Sequence, residues 1–165
     1  MKGSFAWKSV MQTPRIEKVV VSAGVGKMRS DKGRLELVAN RLTQITGQKA
    51  APRGAKKSIA TYKTRTGDTI GYQVTLRGKR AQDFVNRLIH IALPRTKDFK
   101  GISTASIDEM GNYTLGLREH SVFPETADED IKDVFGLAVT IVTTAQTKEE
   151  SQAYLTHLGM PFKKS

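Results

Sequence analysis

A chain of 165 residues without cysteine is long enough for one domain with its own core, and it excludes disulfides, zinc ribbons, iron–sulfur clusters and thiol catalysis, which makes the cytosol the default site. Its 27 Lys and Arg against 16 Asp and Glu give a net charge of +11 at pH 7, a balance that anticipates a polyanionic partner. No stretch approaches ~18 consecutive apolar residues, and the start, Met1-Lys2-Gly3-Ser4-Phe5-Ala6-Trp7-Lys8, lacks the apolar run of a secretory signal, so neither a spanning nor an exported protein is expected.

Pro14 closes an irregular N-terminal tail, residues 1–13, and residues 14–165 are expected to form a single domain. Arg15 to Ala23 is β-branched and closed by Gly24-Val25-Gly26, which predicts a strand. Ile16, Lys18, Val20 and Ser22 point to one side; Glu17, Val19, Val21 and Ala23 point to the other, which is the expected core face. Residues 31–46 place Leu35, Val38, Ala39, Leu42 and Ile45 at helical spacing, with Ser30 or Asp31 as N-cap and Gly47 just past the end. A short strand near residues 49–53 leads into a polar, basic loop that ends near Gly67. Loops this long within a compact domain are usually either functional or misassigned.

Thr69 to Arg77 alternates cleanly, with Ile70, Tyr72, Val74 and Leu76 on one face and Gly71, Gln73, Thr75 and Arg77 on the other. After Gly78 a second helix is expected to bury Ala81, Phe84, Val85, Leu88, Ile91 and Ala92 and to stop at Pro94. Gly111-Asn112 sits between strand-like runs near 105–109 and 113–119 and predicts a hairpin. An acidic loop follows Phe123-Pro124, with Glu125, Asp128, Glu129, Asp130 and Asp133. Leu137 to Thr144 reads as an apolar strand. Thr147-Lys148-Glu149-Glu150 reads as a capping box opening a last helix, with Tyr154, Leu155 and Leu158 inward and Gly159 and Pro161 at its end.

This order predicts an α+β fold in two layers: a mainly antiparallel sheet with helices on one face and a polar other face left for solvent or a ligand. That face would show Lys18, Ser22, Gln73, Thr75 and Arg77, residue types suited to phosphate, ribose and base edges, although a solvated sheet face has the same composition. Charge is segregated along the chain. Residues 1–48 carry 9 basic and 3 acidic side chains and residues 49–80 carry 9 and 1, the single acid being Asp68. Residues 81–120 balance at 5 and 5, and residues 121–165 turn acidic at 4 and 7. The basic segment does not have the period of an amphipathic helix, which makes nucleic acid a better partner than a membrane. A DNA-compacting protein would spread its cations over both halves.

Catalytic and cofactor motifs fail on inspection. Gly24-Val25-Gly26-Lys27-Met28 lacks the earlier glycine of a phosphate loop, has Met28 where a hydroxyl would hold magnesium, and has Arg29 in place of the third glycine of a dinucleotide fingerprint. What remains is a glycine turn whose amides suit an RNA phosphate. His90, His120 and His157 show no metal-ligand spacing, and Ser103 lacks the second glycine of a nucleophile elbow. The acidic run from 125 to 133 has no calcium-loop spacing and reads as a solvated or partner-facing loop. No enzyme, metal or cofactor is expected.

From about Met11 to Lys164 the chain resembles the bacterial type of the large-subunit ribosomal protein family that binds 5S rRNA, the fifth of the large-subunit series. The resemblance rests on Pro14-Arg15-Ile16-Glu17-Lys18, Gly24-Val25-Gly26, Ile45-Thr46-Gly47-Gln48-Lys49, Ala55-Lys56-Lys57-Ser58-Ile59 and Val74-Thr75-Leu76-Arg77-Gly78. It continues through Ala92-Leu93-Pro94-Arg95, Lys97-Asp98-Phe99-Lys100-Gly101, Gly111-Asn112-Tyr113-Thr114-Leu115-Gly116, Phe123-Pro124-Glu125 and Thr140-Ile141-Val142-Thr143-Thr144-Ala145.

The resemblance implies a non-enzymatic ribosomal role: attaching 5S rRNA in the central protuberance, and touching large-subunit rRNA, peptidyl-site tRNA and neighbouring 5S-associated proteins. A bridge to a basic protein of the small-subunit head is implied as well. By this resemblance Lys18, Ser22, Gln48, Thr75 and Arg77 contact 5S rRNA, and Lys56, Lys57, Lys63 and Arg65 form the tRNA-contacting loop; Glu125, Asp128, Glu129 and Asp130, repelled by phosphate, are expected by charge complementarity to serve the small-subunit bridge. Two departures stand out. Met1 to Gln12 is shorter than the family's helical N-terminus, and Ser22 stands where the family typically carries Asn, exchanging an amide donor for a shorter hydroxyl.

Overall fold

Alternation with a period of two builds the strands. Strand β1 (Ile16–Gly24) buries Val19, Val21 and Ala23 while Lys18, Val20 and Ser22 remain half-buried on the opposite side. The computed structural model describes residues 9–26, 28, 31–97, 99, 101–126 and 134–163. Strand β2 (Ala51–Gly54) is short and wholly exposed, and it runs antiparallel to β3 (Thr69–Arg77), with Ala51 opposite Gln73 and Arg53 opposite Gly71. Strands β4 (Tyr113–Leu117) and β5 (Leu137–Thr143) complete an antiparallel sheet of five strands in the order β2-β3-β1-β5-β4. Pro52 is tolerated because β2 lies at the edge. Four helical segments, α1 (Lys32–Thr46), α2 (Gly78–Arg87), α3 (Leu93–Arg95) and α4 (Lys148–His157), make the chain α+β, as the element order predicts.

The described residues fall into two compact units, one within Met1–Val19, Arg77–Leu115 and Val139–Ser165 and the other within Val20–Leu76 and Gly116–Ala138. In the second unit, α1 has the punctuation expected of it. Asp31 Oδ1 accepts the Arg34 N–H at 3.2 Å, and Gly47, at φ 67°, donates its N–H to Thr43 O at 2.8 Å. Val38, Leu42 and Ile45 are buried on its inner face. On β3 the inward residues Val74 and Leu76 are buried, whereas Ile70 at the start of the same face is exposed, because the strand runs beyond the core there. Gly71 is required by proximity: a Cβ at this position would lie 2.9 Å from Ala23 O. His120 stacks on Phe135 at 4.2 Å and 11°, donates its backbone N–H to Phe135 O at 3.1 Å, and accepts the Phe135 N–H at Nδ1 at 3.4 Å.

In the first unit, α2 buries Ala81, Phe84 and Val85, but the expected stripe changes after Arg87. Leu88–Ala92 is one π-helical turn, closed by the Leu93 N–H bonding to Leu88 O. The wider turn rotates Ile91 outward, to 39% exposure, and brings Ile89 and Leu93 into the core instead. Pro94 does not end the helix either, since α3 continues through it to Arg95; the π-turn makes room where an α-helix would be interrupted.

The predicted hairpin is half present. Gly111 adopts φ 77° and Asp108 Oδ1 accepts the Asn112 N–H, yet the first arm is a 3-10 turn (Thr104–Ser106) and a single bridge from Ile107 to Tyr113. The partner of β4 is β5, and Thr143 Oγ1 ties the turn down by donating to Gly111 O at 2.7 Å. In α4, Thr147 Oγ1 accepts the Glu150 N–H at 3.3 Å, while the Glu150 carboxylate reaches past Thr147 to the Gln146 N–H at 3.0 Å. Leu155 is fully buried and Tyr154 and Leu158 half-buried.

Tyr113 is the largest fully buried side chain of the described residues, set edge-on to Phe162 at 5.9 Å, and its hydroxyl has no hydrogen-bond partner among them. Burial pushes its pKa from 10.0 to about 12. A folded pKa above the unfolded one favours the neutral phenol, so its contribution to stability is complete below pH 10.0 and disappears as pH rises through about 12. Tyr113→Phe is therefore expected to be at least as stable as the wild type at neutral pH and to lose less stability across that alkaline window, as measured by urea unfolding at stepped pH.

Candidate nucleic-acid interface

Four of the five residues assigned to 5S rRNA sit at positions that strand geometry keeps out of the core. Lys18 and Ser22 alternate with Val19, Val21 and Ala23 along β1, and Thr75 and Arg77 alternate with Val74 and Leu76 along β3. Gln48 follows the C-cap of α1, and its Nε2 donates to Thr75 O at 3.2 Å, which brings those two residues together and sets the direction of the amide. Arg77 Nη1 lies 3.8 Å from Glu17 Oε1 with both side chains mostly exposed, so its guanidinium already has a carboxylate neighbour that any phosphate must displace. An exposed pair of this kind contributes little to stability.

Sequence reasoning passed over Arg53. Its Nε donates to Gln73 Oε1 at 2.7 Å, adding a cation beside the polar residues of β3. Four exposed residues, Ala51-Pro52-Arg53-Gly54, carry no alternation from which a face can be assigned. The glycine turn after β1 has two of its backbone amides already bonded within the fold. The Val25 N–H donates to Ile70 O at 2.9 Å, the Met28 N–H donates to Val25 O at 2.9 Å, and neither Gly24 nor Gly26 uses a left-handed conformation.

The basic loop is an organised arm. At its base the Ala55 N–H bonds to Asp68 O at 2.8 Å and the Gly67 N–H to Ala55 O at 3.0 Å. Ser58 and Thr66 hydroxyls share a bond of 3.1 Å, and the Thr66 N–H donates to Ser58 Oγ at 3.0 Å. Beyond them Ile59 and Thr64 form an antiparallel bridge around a 3-10 turn, Ala60–Tyr62. Asp68, the one acid of residues 49–80, has a structural task, accepting the Arg65 N–H at 2.9 Å. Lys56, Lys57, Lys63 and Arg65 are all exposed along this arm.

Of the acidic segment, Glu125 is exposed in a 3-10 turn, Pro124–Thr126, that packs against α1, and Thr126 Oγ1 donates to His120 O at 3.1 Å. Asp128, Glu129, Asp130 and Asp133 lie outside the described residues. No helix of the described residues is long and apolar enough to cross a membrane.

The family model of ribosomal protein L5 matches residues 9–65, ending in the arm, and the model of the same family's C-terminus matches residues 69–162, starting at β3. The chain belongs to the ribosomal protein L5 family. Large ribosomal subunit protein uL5 of Ureaplasma urealyticum serovar 10 is 52% identical over 164 residues, covering 99% of this chain and 89% of that protein. The uL5 protein of Ureaplasma parvum serovar 3 is likewise 52% identical with the same coverage, and that of Trichlorobacter lovleyi is 47% identical over 163 residues, covering 99% of this chain and 91% of the relative. The resemblance read from the sequence motifs is thus a family relationship that runs through both compact units.

The alternation of β3 makes a paired prediction. Leu76→Ala is expected to cost ~2–5 kcal/mol of stability by opening a cavity at a fully buried site. Arg77→Ala is expected to change stability by less than about 1 kcal/mol, because only an exposed ion pair is lost. Urea unfolding of the two variants checks the register of the strand.

Proposed function

We propose that this protein is a structural constituent of the large subunit of the cytoplasmic ribosome rather than an enzyme, and that it binds 5S rRNA and helps attach it in the central protuberance. The observation that carries this reading is the near-full-length similarity to proteins named for the large ribosomal subunit. A net charge of +11 with the cations concentrated before residue 81 supports an RNA partner on independent physical grounds.

In this reading Lys18, Ser22, Gln48, Thr75 and Arg77 contact 5S rRNA. The two cations neutralise phosphates, the hydroxyls suit phosphate and ribose oxygens, and the amide of Gln48 is held in place by Thr75 O. Ser22 is shorter than the Asn of the family pattern, so its contact is weaker or passes through a water. Arg77 must exchange Glu17 for phosphate, an exchange made cheap by the exposure of both side chains. The arm, with Lys56, Lys57, Lys63 and Arg65, reaches peptidyl-site tRNA. Large-subunit rRNA and neighbouring 5S-associated proteins complete the surroundings. Glu125, Asp128, Glu129 and Asp130 are unsuited to phosphate and face a basic protein of the small-subunit head, where complementary charge speeds and orients the encounter.

Gel-shift titration with 5S rRNA against excess tRNA and duplex DNA tests the central reading. Binding is expected to be selective for 5S rRNA and to weaken with salt by about 0.7–0.9 log units per log unit of salt for each phosphate neutralised. Equal affinity for an unrelated RNA of the same length rejects it. The bridge is tested separately: Asp128, Glu129 and Asp130 changed together to Lys are expected to slow subunit joining at low ionic strength and to leave 5S binding unchanged.

A further inference from the structure

The tip of the basic arm carries an aromatic ring that the fold leaves in solvent. Tyr62 is 72% exposed and Ile59, at the other end of the 3-10 turn, is 46% exposed. Neither adds to the core, yet both stand on a firm support. Ile59 and Thr64 exchange backbone hydrogen bonds of 3.1 and 3.2 Å, and the Lys63 N–H closes the turn on Ala60 O at 2.9 Å. Lys63 takes up φ 50°, the single left-handed non-glycine residue among those described. A side chain with a β-carbon disfavours that conformation, and such residues gather where a surface is held in a shape needed for a ligand.

The chemistry around the ring narrows the ligand. Residues 55–67 hold four cations and no carboxylate, so an acidic or polyanionic group is attracted, but cations alone would serve a bare phosphate. An aromatic face added to a cationic surface suits a nucleobase, which stacks on the ring while the lysines and arginine hold its backbone. The arm is not an amphipathic helix, and a membrane surface would give it no apolar face to bury beyond two side chains.

We propose that Tyr62 is a stacking platform for an accessible nucleobase, either unpaired or at the open end of a base-paired stack, with Lys63 and Arg65 holding the adjoining phosphates. This rests on the reading of the arm as the tRNA contact. It adds a ring whose contribution does not depend on charge.

The test uses ribosomes assembled with the full-length protein or its variants, loaded with deacylated tRNA in the peptidyl site, and measures tRNA dissociation over a range of salt. Unfolding curves of each purified variant confirm an intact fold. Tyr62→Ala is expected to speed dissociation roughly fivefold to a hundredfold with the salt dependence unchanged, and Tyr62→Phe to stay close to the wild type. Exchange of Lys56, Lys57, Lys63 and Arg65 for Ala is expected to speed dissociation and to flatten the salt dependence. Wild-type behaviour of Tyr62→Ala beside a defective four-cation variant overturns the stacking proposal and keeps the arm on tRNA. Wild-type behaviour of both overturns the reading of the arm as well. A Tyr62→Phe variant as defective as Tyr62→Ala, or a flattened salt dependence in Tyr62→Ala, also overturns it, since the hydroxyl or the neighbouring cations would then be responsible.

Discussion

The rest of the structure depends on burial of every second side chain along β1 and β3. Val19, Val21 and Ala23 on one strand, and Val74 and Leu76 on the other, are almost inaccessible to water. Each of these valines and the leucine contributes roughly 1.5–3 kcal/mol on leaving water, and Ala23 less. A register slip of one residue would exchange these with Lys18, Ser22, Thr75 and Arg77, putting charges and hydroxyls into the core. The same alternation that holds the strands in place therefore decides which polar groups are presented to a ligand. Gly71 allows this packing, because any larger residue would meet the Ala23 carbonyl.

Exposure elsewhere is organised by hydrogen bonds in place of burial. The arm from Ala55 to Asp68 has almost no core residue, and its shape comes from paired backbone bonds, two hydroxyls and one carboxylate. Asp68 illustrates the economy of charge in this segment. By accepting the Arg65 N–H it serves the backbone of the arm, and it is the sole acidic residue against nine basic ones in residues 49–80. A surface of this kind is attractive to a polyanion over the length of the arm, while the ring at its tip offers a contact that salt does not screen.

Where the reading of the sequence and the structure part, the cause is a contact distant in sequence or a change of helical pitch. A pitch of 3.6 residues points Ile91 inward, and the π-turn before Pro94 moves Ile89 and Leu93 into that place. Residues 105–109 resemble a strand, yet β4 finds its partner in β5 while Thr143 anchors the turn at Gly111. The exposed pair Arg53 and Gln73 is invisible to pattern because β2 has no hydrophobic alternation; its place is given only by pairing with β3.

Local pattern was enough to establish the α+β class, the ends of α1, the inward Val19, Val21 and Ala23 of β1, the apolar pair Val74 and Leu76, and the division of the chain into a basic first half and an acidic end. These follow from period, capping chemistry and charge, which neighbouring residues determine among themselves. The family could be recognised from the order of its motifs. Tertiary structure alone decided that Gln48 bonds to Thr75, that Glu17 stands beside Arg77, that the basic segment is a braced arm with Tyr62 at its tip, and that the helix passes through Pro94. Each of these depends on backbone pairing, side-chain reach or helical pitch, and hydrophobic period records none of the three.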